Sequence, residues 1–219
     1  MKGIVLSLSK KPAIKTIRLP GSGSLIKNYG LILLFAALLL FGLVGGALYA
    51  HCAGERFLKS LDFLFMTNLD ARLRQGDFGI FCACFASDFI FLLSTYLFGM
   101  SLWGIPFIAA AVLFKGFGTG LTAGYLSMSY ALSGVGFYLL VLLPGTFLFC
   151  VALIFFSAAA FRYSQQSFRA VFLEKPFPNA PRQTAIAFGS RFFTALIISF
   201  AACALDTVLW TCFAGTFKF

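Results

Sequence analysis

The sequence predicts an all-α integral membrane protein of five transmembrane helices, with its N-terminus in the cytoplasm and its C-terminus outside. Three observations carry that prediction. Of the 219 residues, 60% are hydrophobic and 11% charged, a composition unlike that of soluble domains. Several apolar runs reach the ~20 residues a helix needs to cross ~30 Å of hydrocarbon, whereas a barrel would show ~10-residue segments alternating in polarity. The basic residues, finally, are unevenly placed along the chain.

Six of the 17 basic residues, Lys2, Lys10, Lys11, Lys15, Arg18 and Lys27, precede the first apolar run with no acid among them. Five more, Arg162, Arg169, Lys175, Arg182 and Arg191, lie between the fourth run and the start of the last, against a single Glu174. Both clusters read as cytoplasmic flanks under the positive-inside rule. The opposite orientation would carry these six and five charges, eleven in all, across the membrane. The net charge of +10 therefore needs no nucleic-acid partner; the partner it fits is membrane lipid.

Taken in order, residues 1–28 form a basic cytoplasmic tail broken by Pro12, Pro20 and the GSGS of 21–24, suited to rest on anionic lipid. The first span is expected at about 29–50. Its basic flank and apolar core are both too long for a typical cleaved signal peptide, so it reads as a retained anchor. Residues 51–77 carry four acidic and four basic side chains, as expected of an outside segment. Within them Phe57, Leu58, Leu61, Leu64 and Phe65 recur at helical spacing, which predicts an interfacial amphipathic helix or a docking face. The second span, about 84–103, descends to a turn at WGIP, and the third, about 105–127, returns outward. The fourth, about 134–160, delivers the basic segment 161–188 to the cytoplasm, and the fifth, about 190–213, rises to a short outside tail at 214–219. No soluble domain of any size is expected. No internal repeat is visible, which weakens an inverted-repeat transporter.

The third span holds the residues of greatest interest. Gly116, Gly120 and Gly124 recur every fourth residue, stacking on one helix face where a neighbouring backbone can approach closely. Packing inside the bundle and docking of a partner's helix, a second copy included, both satisfy this pattern. Lys115 lies nine residues beyond Pro106, roughly 14 Å up the helix and near mid-bilayer, where a charge is costly without a partner or a watery cavity. Asp88 and Asp206 are the available counterions. Counted from the inner ends of their expected spans, both lie ~24 Å out, about 10 Å above the lysine backbone. The lysine side chain also leans toward its helix's N-terminus, away from both acids. Depth therefore predicts that Lys115 snorkels inward or meets carbonyls of a kinked neighbour; an ion pair would need water in the bundle. Pro144, followed by Gly145, supplies such a kink in the fourth span.

The six cysteines lie mostly in or beside apolar runs and imply no disulfide framework. With His51 the one histidine, the Cys82-x-Cys84 pair does not predict a metal site, and no cofactor is expected. No carboxylate pair and no Ser, His and Asp set converges at one depth, so the chain is not expected to be an enzyme.

A Gly-x-Pro turn at Gly104, Ile105 and Pro106, an apolar stretch into Lys115-Gly116, a further glycine pattern and Leu143-Pro144 together resemble the stage II sporulation protein M family. The resemblance is most specific over about 84–165. The chain departs from the family after Leu143-Pro144, where Gly145 and Thr146 lead into an apolar run rather than polar residues. The resemblance implies a multispanning scaffold in the mother-cell membrane of an endospore former. It would recruit stage II sporulation proteins D and P, hydrolases that thin septal peptidoglycan for engulfment. A second reading, a small transporter or permease component, is motivated by Lys115, Asp88, Asp206 and the proline kink.

Overall fold

The computed structural model describes residues 22–52, 76–172 and 181–213. They form helices α1 (Ser22–Cys52), α2 (Asp77–Met100), α3 (Gly104–Phe137), α4 (Leu143–Phe172) and α5 (Pro181–Phe213), with one wide π turn at Tyr138–Leu142 and no strand among them. Five stretches are long and apolar enough to cross a membrane: Tyr29–Cys52, Asp77–Met100, Gly104–Tyr130, Leu132–Phe172 and Arg182–Phe213. In hydrocarbon every backbone polar group must be satisfied within the chain, and helices do this segment by segment. The outer docking face expected at Phe57, Leu58, Leu61, Leu64 and Phe65 lies outside the described residues.

Helix ends differ from the expected spans in ways that matter for depth. The second helix begins at Asp77 rather than 84 and ends at Met100, and the turn is Ser101–Trp103 rather than WGIP. The Ser101 N–H donates to the Phe98 carbonyl at 3.0 Å, and the Gly104 N–H to the Ser101 carbonyl at 3.3 Å. A side chain at Gly104 would strike the Phe98 carbonyl, so this reversal depends on glycine. Pro106 falls in the first turn of α3, where a missing N–H costs no helical bond. From across the bundle the Ser164 hydroxyl donates to the Ser101 carbonyl at 2.8 Å, fixing the turn to α4.

Near the C-terminal end of α3 the helical turns continue through a sharp reversal. A Cβ at Gly134 would collide with the Leu126 carbonyl, eight residues back. In a straight helix those residues stand ~12 Å apart, so the chain folds back between them. The basic segment expected at 161–188 is in part helical bundle: α4 runs to Phe172 and α5 starts at Pro181 rather than 190. Phe188 shows why. It is buried and stacks on Tyr96 of α2 at 5.2 Å and on Phe156 and Tyr163 of α4 at 5.6 and 4.7 Å between centroids. That much aromatic burial anchors the start of α5 to the bundle at Phe188, although most of the residues from Arg182 to Ala187 are exposed.

The most extensive helix pairing is α1 with α3. Leu39 and Leu43 of α1 present carbonyls to Gly116 and Gly120, and Ala47 and Ala50 face Gly124. The approach is reciprocal, because side chains at Gly42 and Gly46 would strike the Leu113 and Phe117 carbonyls of α3. Two apolar clusters make up most of the core. One, toward the basic end, includes Phe35, Leu39, Phe91, Leu92, Val112, Phe149, Leu153 and Phe156. The other, toward the opposite end, includes Ile80, Leu126, Phe137, Val141, Leu142 and Trp210.

Candidate functional site in a buried charge layer

Lys115, Asp88 and Asp206 lie between these two clusters. Lys115 Nζ donates to Asp88 Oδ1 at 2.7 Å, with side-chain exposures of 11% and 13%. Asp88 therefore stands level with the lysine, not ~10 Å above it as expected, and the reason is the turn. Counted from the actual helix ends, Asp88 lies twelve residues before Met100 and Lys115 eleven after Gly104, so both stand ~16–18 Å from the shared turn. Placing the turn about three residues late raised the acid and lowered the base. Lys115 neither snorkels nor caps a kink. Its ammonium lies 5.0 Å from the Phe91 ring centroid and 4.7 Å from that of Phe149, two aromatic contacts that stabilise a cation away from water.

Asp88 also accepts from the Cys203 thiol at 3.6 Å. Asp206, buried on α5, accepts from the Cys84 thiol at 3.2 Å. Because α2 and α5 run antiparallel, the two pairs cross: Cys84 precedes Asp88 by one helical turn, and Cys203 precedes Asp206 by nearly one. Asp206 thus lies about one turn, ~6 Å, from the Lys115–Asp88 level toward the end opposite the basic one.

A cavity of about 70 Å³ connects these groups, lined among others by Asp88, Lys115, Thr119, Thr122, Cys203 and Asp206. At ~10–15 Å³ per water on that measure, it has room for several waters. Thr119 and Thr122 donate to the Gly116 and Gly118 carbonyls at 2.7 and 3.0 Å. Their hydroxyl hydrogens are spent on their own helix, so toward the cavity they offer acceptor lone pairs.

The fourth wall is the π turn. The Leu143 N–H donates to the Tyr138 carbonyl five residues back. Pro144 has no N–H to continue the ordinary ladder, so the helix before it is free to widen. The expected kink is therefore a widened turn, and it brings Tyr138 and Leu142 into the cavity wall beside Gly145 and Thr146. A Cβ on Gly145 would come within 2.8 Å of the Ala202 carbonyl and 3.0 Å of the Asp206 Cβ. This glycine lets α5 carry Asp206 up to the wall.

The site thus gathers Lys115, Asp88 and Asp206, with Gly145 as spacer. The predicted glycine face is spent on α1. Sequence reasoning missed Gly42 and Gly46, although Gly42-x-x-x-Gly46-x-x-x-Ala50 repeats the small-residue spacing of α3. It also missed both thiol donors, for which helix pairing must be known. Among the described residues no group of three or more His, Cys, Asp or Glu could hold a metal ion.

Residues 31–210, from near the start of α1 almost to the end of α5, match the family described as Stage II sporulation protein M. The chain belongs to that family. No curated protein and no solved structure was found to match it. Membership of the stage II sporulation protein M family suggests a sporulation-related membrane protein, and five helices long and apolar enough to span suggest a multi-pass one. The residues that first suggested the family, from the Gly104–Pro106 turn to Lys115 and Leu143-Pro144, are those that build the turn, the ion pair and the widened helix.

Proposed function

We propose that this family member is a non-enzymatic scaffold in the bacterial cytoplasmic membrane, with its N-terminus inside and its C-terminus outside. It holds peptidoglycan-degrading partners, stage II sporulation proteins D and P or similar wall hydrolases, at the outer face for septal wall thinning and engulfment. The observation that carries this reading is that the family match coincides with the membrane bundle itself. Its helices are locked by close backbone approach on one side and by a buried ion pair and stacked rings on the other. That rigidity suits a platform. The test is co-purification in mild detergent from cells entering sporulation. Recovery of wall hydrolases supports the scaffold; recovery of an ATPase in their place overturns it.

One observation favours a second reading. The ion pair, the second acid and the cavity with acceptor hydroxyls form a layer able to pass a proton or small cation, which a purely structural bundle does not need. Proton flux in proteoliposomes, abolished by Asp206→Asn, would support a transport component; flux no greater than in empty liposomes would remove it.

A further inference from the structure

Two cavities on the α4–α5 side share Ala159, Arg162 and Arg191, and so form two limbs of one groove. The limb toward the basic end has a volume of about 460 Å³ and is lined by Tyr163, Gln166, Gln183 and Thr184 with the two arginines. The other, about 520 Å³, runs along Val151, Phe155 and Leu148 of α4, Ile198 of α5 and Ile32 of α1. Among the described residues no acidic side chain lines either limb.

The order of chemistry along the groove is that of a phospholipid. Two guanidinium groups from facing helices stand where the polar limb meets the apolar one, with amides and hydroxyls beyond them. Guanidinium presents a planar fork of donors that matches a phosphate oxygen pair. From Arg162 to Leu148 is fourteen helical residues, ~21 Å, which exceeds the ~15 Å of one leaflet's hydrocarbon and so accommodates an acyl chain. The floor is made of alanines, Ala152, Ala158, Ala159 and Ala195, which keep the two helices close while leaving the cleft open between larger neighbours. The polar limb lies at the end that holds the α2–α3 turn, because Ser164, two residues from Arg162 and so ~3 Å along the helix, bonds the Ser101 carbonyl.

We propose that this groove binds one anionic phospholipid, its phosphodiester between Arg162 and Arg191 and an acyl chain along the apolar limb. The lipid clasps α4 to α5 on the basic side of the bundle and couples the assembly to anionic membrane.

The test uses the full chain in a neutral detergent, with bound lipid counted by native mass spectrometry and the melting temperature followed in parallel. The probes are phosphatidylglycerol, phosphatidylcholine with the same acyl chains, and glycerol phosphate. Phosphatidylglycerol alone is expected to be retained and to raise the melting temperature. Arg162→Gln and Arg191→Gln each weaken its retention by roughly fivefold, the scale of one basic residue facing an anionic lipid surface. Val151→Trp, which fills the apolar limb with both arginines in place, weakens it as well and guards against misfolding of the arginine variants. Equal retention of phosphatidylcholine, full stabilisation by glycerol phosphate alone, or unchanged retention in all three variants would overturn the proposal.

Discussion

Lys115 and Asp88 place opposite charges at hydrogen-bond distance inside an apolar bundle, and the energetics of such pairs are asymmetric. Removing one partner strands the other charge, at a cost of about 3–5 kcal/mol, while replacing both with apolar groups of similar volume is often neutral or stabilising. Lys115→Ala alone is therefore expected to destabilise the bundle by about that amount, and Lys115→Met with Asp88→Leu to recover most of it, as read from unfolding in detergent. The pair also marks the limit of reading residues from sequence. All the polar candidates were legible as intramembrane charges. Their partnership was not, because a three-residue shift of the Ser101–Trp103 turn moves two antiparallel helices past each other by several ångströms in opposite directions.

At the scale of helices, the α1–α3 seam is held by direct backbone approach. Gly120→Val must push α1 off the Leu43 carbonyl, and a loss of about 1–3 kcal/mol is expected from this overpacking. Gly45→Ala is the control: nothing lies within 4 Å of a Cβ there, so the change is expected to be neutral or mildly stabilising in the same assay. Helix existence was readable from hydropathy alone because each span is a long, predominantly apolar run. Helix ends were not. Phe188 shows that an aromatic residue among basic ones can still be drawn into the core, and the Tyr138–Leu142 turn shows that Pro144 predicts a disturbance without specifying whether the helix bends or widens.

For the whole molecule, the charge asymmetry predicts a topology that native cysteines can test. Cys52 ends α1 and Cys212 lies one residue from the end of α5, both exposed and both at the end opposite the basic residues. A membrane-impermeant thiol reagent is expected to label them in intact cells and to spare a cysteine introduced at Ser101; the reverse pattern would invert the orientation. Partner recognition was never legible in the bundle, since the outer docking face expected at Phe57, Leu58, Leu61, Leu64 and Phe65 lies outside the described residues and a lipid-facing surface carries little sequence signature. The most direct test of the scaffold is co-purification with the Lys115→Met, Asp88→Leu chain beside the wild type. If the bundle acts through its surfaces and the buried charges serve only to hold it together, both chains bring down the same wall hydrolases in similar yield. Loss of the hydrolases from a stably folded double variant, or an ATPase recovered with either chain instead, would contradict it.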